Sequence, residues 1–257
     1  MPTYLKRYKN GEYEQVWAEL VALGGDIRLE PLYSDALAVA HETISRVNTN
    51  INTLKERLIN IGYKFAPPEA LFEIPKARLI EKVTKLEQLA GPIPLSLRVF
   101  YEVIGQIGFY GIHPSFGVNL AGYEDQDGSW LETLSTEYYD FYYNAEAGKL
   151  SDPLAIEFPY KEVVLEYYVY DFLEPGKYYI PIAPDIYHKA DTSGAGSTLI
   201  GFPNQNIDGI LHGDWEGRYF VEYLREAFRW GGFPGLKKYP SHDKETLAFL
   251  TEGLLPI

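Results

Sequence analysis

The most constraining feature of the sequence is a long apolar repeat near its N-terminus. Between residues 34 and 62, apolar side chains recur mostly every three or four positions, which places them on one face of an α-helix. Ser34 is the predicted N-cap of this helix, and Gly62 is the predicted glycine at its end. A helix with one apolar face has to bury that face against other elements. The repeat consists of Leu37, Ile44, Val47, Ile51, Leu54, Leu58 and Ile61.

A shorter helix is predicted upstream, over 13–23, and it stops at the glycine pair 24–25. An antiparallel pair of helices is the simplest way to bury both apolar faces, and residues 1–65 are therefore predicted to form an N-terminal helical extension. Four residues lie off the apolar face of the long helix and are predicted to be solvated. They are His41, Arg46, Lys55 and Arg57.

Prolines interrupt residues 65–75, so this stretch is predicted to be a linker. A third helix follows, with an apolar face that ends at Gly91 and consists of Leu79, Val83, Leu86 and Ala90. Pro94 then imposes an extended step before a fourth helix that opens near Ser96. Phe100 lies on the apolar face of that helix and is expected to be buried.

The pattern changes after Gly105. Runs rich in tyrosine and β-branched residues predict strands at 163–172, 177–183 and 197–202. Helical periodicity returns at 216–232, and a last helix is predicted around 244–249. Helices, then strands, then helices indicate an α+β fold. Residues 76–257 are predicted to form one domain with a helix-flanked, mostly antiparallel sheet.

Composition restricts the function classes. The chain has 257 residues, no cysteine and a net charge of −13. Without cysteine there is no disulfide, thiolate nucleophile or cysteine-ligated zinc. An acidic surface repels phosphate and favours encounter with a basic protein, so nucleic acid is not the expected partner.

The beginning of the sequence lacks the apolar segment of a signal peptide. No apolar run approaches the roughly 18 residues that a membrane-spanning helix needs. A cytoplasmic protein with no membrane segment is therefore expected.

One region has the residue types of an enzyme. Residues 185–214 contain carboxylates and imidazoles of the kind that bind zinc or manganese, which would suit a metal-dependent hydrolase. These residues are Asp185, His188, Asp191, Asp208, His212 and Asp214. Their spacing is not compact, and turns between strands use the same residue types for local hydrogen bonds. No metal, cofactor or catalytic residue is therefore predicted, and the hydrolase remains the alternative.

The most distinctive candidate surface combines aromatic and acidic residues within 135–148. Aromatic side chains anchor protein interfaces, and carboxylates pair with a basic partner. Packing of the tyrosines against a sheet is the competing interpretation. The predicted partner-binding residues are Glu137, Tyr138, Tyr139, Asp140, Tyr142 and Tyr143.

Residues 76–235 resemble the SUKH superfamily, which includes fungal regulators of cell-wall synthesis and bacterial toxin-immunity proteins. The resemblance rests on a GPIP step with Pro94, a short helix carrying Phe100, and glycines 105 and 108 before the sheet. The strand-like run 178–185 and the helical run 218–228 are similar to later elements of that family.

The resemblance implies an α+β binding domain without catalytic residues. The resulting prediction is a non-enzymatic module that neutralises a partner protein, such as a basic toxin domain, by direct binding. A regulatory scaffold of the same fold is a further alternative.

Overall fold

The computed structural model describes residues 3–65, 76–113, 117–119, 151–158, 178–185, 189, 197–214, 216–238 and 243–257. Its N-terminal part is helical, as predicted. Helix α1 spans Tyr4–Lys9, α2 spans Tyr13–Ala22, a 3₁₀ helix spans Gly24–Arg28, and α3 spans Leu32–Asn60.

Helix α3 buries the predicted apolar face from Ile44 to Leu58, and Gly62 follows it with φ +87°. Its predicted start at Ser34 is wrong, because the helix begins at Leu32. Its N-cap is Pro31. Ser34 lies in the first turn, where its backbone N–H and its hydroxyl donate to the Glu30 carboxylate.

Two of the basic residues on α3 are less solvated than predicted. The Arg46 guanidinium lies 4.8 Å from the ring centre of Tyr13 and donates to Glu42. Arg57 donates to the carbonyl of Leu250. Only His41 and Lys55 of that group are exposed.

The next two helices agree with the sequence pattern. Helix α4 spans Lys76–Ala90 and buries its predicted face, and α5 spans Leu95–Val103. Phe100 is fully buried, with its ring edge-to-face against Phe220 at 5.5 Å between centroids. Arg98 joins the two helices through its ion pair with Glu87, and it also pairs with Glu102 in its own helix.

The described strands form three small sheets, in which every pairing is antiparallel. The first sheet contains β1 (Lys64–Phe65), β3 (Gly111–His113) and β4 (Gly117–Asn119). The second sheet contains β2 (Ile107–Gly108) and β5 (Ala155–Ile156). Phe65 thus belongs to a strand rather than to the predicted linker, of which residues 66–75 lie outside the described residues. The third sheet contains β6 (Tyr178–Pro184), β7 (Ser197–Phe202) and β8 (Leu211–His212).

Strands β6 and β7 confirm the predictions at 177–183 and 197–202. They pair through Ile180 and Ile200, and a bulge lies between Pro181 and Ala183. The predicted strand 163–172 lies outside the described residues.

Helix α6 (Phe220–Arg229) follows the third sheet, then a 3₁₀ helix (Pro234–Lys238) and α7 (Lys244–Thr251). The predicted apolar face of α6 is buried from Phe220 to Phe228. Helices and antiparallel sheets in this order make the fold α+β, as the sequence indicates.

The N-terminal helices and the later elements share one apolar core. Hydrogen bonds join the two parts as well, from Trp17 to Asp208 and between Asn50 and Leu255. The predicted division into 1–65 and 76–257 is therefore not a division between two cores. Within the described ranges, no helix is long and apolar enough to cross a membrane.

Candidate functional site

A cavity lined by many charged side chains lies between the β6–β7 sheet, α6 and the 3₁₀ helix Pro234–Lys238. We call it the Lys189 pocket. Its volume is about 60 Å³, which is space for a few water molecules. Its charged lining residues carry balanced charge, with four of each sign. They are Asp152, Asp185, Lys189, Asp214, Glu216, Arg218, Lys237 and Lys238.

Lys189 is the central group of this pocket, and only 2% of it is exposed. Its ammonium lies 2.8 Å from the Asp152 carboxylate and 3.1 Å from the Tyr223 hydroxyl. Burial alone would lower the pKa of Lys189, but the charge and hydrogen bonds of Asp152 and Tyr223 outweigh it and raise that pKa above its usual value. Lys189 therefore stays protonated, which makes it a charge-pairing group rather than a nucleophile.

Asp152 has a left-handed backbone, with φ +50°. This conformation is uncommon outside glycine, although aspartate tolerates it better than most residues. The Asp152 carboxylate reaches Lys189, which lies 37 positions later in the sequence.

Four other charged residues of the pocket are also in ion pairs, namely Asp214, Arg218, Glu216 and Lys237. Arg218 binds Asp214 through two nitrogens, at 2.6 and 2.9 Å, and lies 5.4 Å from the ring centre of Tyr223. Burial would raise the pKa of Asp214, but the hydrogen bonds from Arg218 lower it below its ordinary value. At the rim, Lys237 pairs with Glu216 and Glu226, each at 3.1 Å.

Tyrosines continue the hydrogen-bond network behind the pocket. Tyr110 donates to the Glu157 carboxylate at 2.5 Å, and Tyr101 donates to the Glu157 carbonyl at 2.9 Å. Burial and the negative charge of Glu157 raise the pKa of Tyr110 well above its usual value. These hydroxyls remain protonated and serve as hydrogen-bond donors.

Asp208 forms a second polar centre, which we call the Asp208 hub. It is fully buried, and its two oxygens accept four hydrogen bonds. The donors are Trp17 Nε1 at 2.9 Å, Ser96 Oγ at 2.8 Å, and the backbone N–H groups of Gly209 and Val221 at 2.9 and 3.2 Å. The hub thereby joins α2, α5 and the beginning of α6.

The pKa of Asp208 reflects both its burial and its four hydrogen bonds. Burial raises it to about 6, and the bonds from Trp17, Ser96 and the two N–H groups oppose the rise. Because all four contacts are donors, they match the ionised carboxylate.

The structure brings together only part of the predicted acidic and histidine cluster. Asp185 and Asp214 line the Lys189 pocket, whereas Asp208 is enclosed in its own hub. His212 packs edge-to-face on Tyr179 at 5.2 Å. His188 and Asp191 lie outside the described residues, and no group of three or more His, Asp or Glu side chains among the described residues is arranged to hold a metal ion.

The predicted partner-binding residues cannot be placed in the fold, because residues 137–143 lie outside the described ranges. Sequence reasoning also missed the centre of the Lys189 pocket. Tyr223 lies within the run 216–232, which was predicted only to be helical, and neither Asp152 nor Lys189 belongs to a motif that marks it.

Comparisons with protein-family models, curated proteins and solved structures give no significant match. The class of protein therefore has to be inferred from the chemistry of the chain itself.

Proposed function

We propose that this chain is a non-enzymatic protein-binding module of the toxin-immunity type, which neutralises a basic partner protein by direct binding. The observation that carries the proposal is the excess of acidic residues, 36 against 23 basic ones. Such an excess gives the surface a field that attracts a basic protein and accelerates encounter.

Internal ion pairs do not remove this excess. Many basic side chains of the described residues are already bound to carboxylates, including Arg7, Arg46 and Arg98. Each one-to-one pair consumes one charge of each sign, so the surplus of thirteen negative charges persists. The carboxylates that make up this surplus are available for a partner with the opposite charge.

The cations of the Lys189 pocket are suited to charge pairing rather than to nucleophilic or general-base chemistry. Its lysine is held protonated by Asp152, and its arginine is bound to Asp214. A general base or a nucleophile needs an available lone pair near neutral pH. The paired cations of this pocket do not supply one.

The resemblance to the SUKH superfamily supports the immunity role in particular. The residues that carry it include Pro94 and Phe100, and Phe100 has the buried position expected of a packing residue. In this proposal the surface that meets the partner is the aromatic and acidic stretch 137–143.

The biological test uses the product of the adjacent gene, since immunity genes lie beside toxin genes. If that product arrests growth when it is expressed alone, co-expression of this chain should restore growth, and the two purified proteins should form a stable complex. Binding without protection would favour a regulatory scaffold. Arrest that co-expression does not relieve, with no complex, would contradict the proposal.

The kinetic test measures association with that partner at low and high salt. Salt should slow association, because it screens exposed charges over about 8–10 Å, and should change dissociation little. Tyr139→Ala and Tyr142→Ala should instead speed dissociation, by an amount equal to about 2 kcal/mol or more each. Tyr178→Ala is the control, since Tyr178 is a partly exposed tyrosine on β6. If all three variants dissociate like the wild type, the interface lies elsewhere.

A further inference from the structure

The turn between α1 and α2 contains the one Asn–Gly pair of the sequence, Asn10–Gly11. In such a pair, the backbone nitrogen of the glycine can attack the side-chain amide carbon of the asparagine and close a five-membered ring. Glycine favours this step, because it has no side chain to hinder the approach and its backbone rotates freely. Whether the reaction takes place in a folded protein depends on how the pair is held.

The structure leaves the Asn10 side chain unconstrained. Asn10 is exposed and is the C-cap of α1, with φ −84° and ψ 4°. Its side-chain amide makes no hydrogen bond to any described residue. Gly11 is also exposed and has φ +103°, and apart from its two chain neighbours no atom lies within 4 Å of the position that a Cβ would occupy there. The two reacting groups are therefore open to solvent and not crowded by other residues.

Two backbone hydrogen bonds tie Gly11 and the residue after it to α1. The Gly11 N–H donates to the Tyr8 carbonyl at 3.0 Å, and the Glu12 N–H donates to the Arg7 carbonyl at 3.2 Å. Both bonds close the last turn of a helix of only six residues, and such ends open more easily than helix interiors. Local opening of this turn releases the Gly11 nitrogen, and it does not require the protein to unfold.

Two other places in the protein lack this combination. Asn60 is likewise exposed at the end of a helix, α3, but the next residue is Ile61, whose branched side chain hinders attack by its own nitrogen. Asp208 is followed by a glycine, but its carboxylate is enclosed in the Asp208 hub and accepts a hydrogen bond from that same Gly209. Among the asparagines of the described ranges, only Asn10 combines exposure with a following glycine.

We propose that Asn10–Gly11 is a site of spontaneous deamidation, which places an additional negative charge in the α1–α2 turn. The Gly11 nitrogen bonds to Asn10 Cγ and loses its proton, the Cγ–Nδ2 bond breaks, and ammonia leaves with that proton. Water then opens the resulting succinimide at either carbonyl, which gives aspartate or isoaspartate. Water is the only co-reactant, and no electrons are transferred.

The new carboxylate would lie where the protein is least suited to it. It would stand at the C-terminal end of α1, where the helix dipole is negative. It would also lie close in sequence to Glu12, which together with Glu19 binds Arg7. Isoaspartate lengthens the main chain by a methylene as well, which changes the spacing of the N–H groups that close α1. This site does not depend on the proposed function.

The experiment incubates the folded protein in mildly alkaline buffer and follows it by peptide mapping with mass spectrometry. The peptide that contains Asn10 should gain the mass difference between an amide and an acid, in both aspartate and isoaspartate forms. The intact protein should acquire a more acidic charge variant at the same rate. Modification at Asn10 should be at least about tenfold faster than at Asn60, because Gly11 lacks the branched side chain of Ile61.

Asn10→Gln should abolish the acidic variant, because the longer side chain would have to close a larger ring. Asn60→Gln is the matched control and should form the variant at the wild-type rate. The proposal is overturned if Asn10 of the folded protein stays intact over a period in which the same residue deamidates in the urea-unfolded protein, since the turn then holds the pair apart. Equal rates at Asn10 and Asn60 would also overturn it, and so would an acidic variant that Asn10→Gln leaves unchanged.

Discussion

Asp208 and Lys189 are both almost completely removed from solvent, but the protein stabilises the two charges by different means. Asp208 accepts hydrogen bonds from four neutral donors, and no cation among the described residues lies within ion-pairing distance of it. Lys189 is matched by a carboxylate and by a tyrosine hydroxyl.

Because their charges are stabilised differently, the two centres should respond differently to pH and to mutation. Neutral donors do not cancel the cost of burying a charge, so the pKa of Asp208 rises to about 6, within the range that cells and buffers reach. The pKa of Lys189 is also raised, because the ion pair with Asp152 outweighs burial, but for a lysine this moves the pKa farther from neutrality. The Asp208 hub is therefore expected to titrate under mild conditions, and the Lys189 pocket is not.

The largest expected effect comes from breaking the ion pair. Lys189→Met removes the cation and leaves the Asp152 carboxylate without its partner, which should lower the free energy of unfolding by about 3–5 kcal/mol. Urea denaturation at neutral pH measures the loss.

Two controls sharpen this prediction. The double variant Lys189→Met with Asp152→Asn should recover a large part of the loss, because it leaves no unpaired charge. Lys237→Met, at the exposed rim of the same pocket, should cost less than about 1 kcal/mol. A single Lys189→Met variant as stable as the wild type would show that the pair contributes nothing.

The next effect is the pH dependence of the Asp208 hub. The pKa of Asp208 is about 6 in the folded protein against 3.8 for an ordinary aspartate. Between these values the folded state holds more protons than the unfolded state, so stability falls as pH rises from about 4 to about 6, and it is constant in this respect above that range. The loss should be about 3 kcal/mol.

Asp208→Asn isolates this contribution, because asparagine does not titrate. Unfolding free energies of the two proteins, measured from pH 4 to pH 7.5, should differ by an amount that changes with pH in the stated direction. A difference that is flat across this range would mean that the four donors hold the pKa of Asp208 at its ordinary value.

The smallest effect is expected from removing one neutral donor. Ser96 is fully buried and donates to Asp208 at 2.8 Å. Ser96→Ala should cost about 1.5–3 kcal/mol at pH 7.5, and less at pH 4, where the carboxyl is protonated. Chemical denaturation at both pH values tests this.

Ser34→Ala is the matched control for that experiment. Ser34 also donates to a carboxylate, that of Glu30, but the pair is exposed, so the cost should be below about 0.5 kcal/mol. Equal costs for Ser96→Ala and Ser34→Ala would show that burial does not strengthen the contact at the hub.

Much of the helical architecture could be predicted from the sequence because helix periodicity is local. The buried face of α4, from Leu79 to Ala90, follows directly from spacings of three and four residues. The N-cap of α3 was predicted three residues too late, because the observed N-cap, Pro31, has no side-chain acceptor and does not match the usual N-cap pattern.

For Asp208, the sequence gives the residue type but does not predict which residues surround it. As a polar residue in a turn, it is predicted from sequence to make local hydrogen bonds in preference to binding a metal. Its actual partner, Trp17, is 191 positions away along the chain. Burial of the carboxylate depends on three separate elements meeting at one point, and no local pattern encodes that meeting.

The sequence alone is enough to predict the α+β class, the negative net charge and the faces that the helices bury. Each of these depends on composition or on near neighbours along the chain. Only the packed chain shows that the N-terminal helices join the common core, that Lys189 meets Asp152, and that Trp17 meets Asp208. These outcomes depend on distances between remote residues and on how much water is excluded around each charge. Both quantities exist only once the chain has packed.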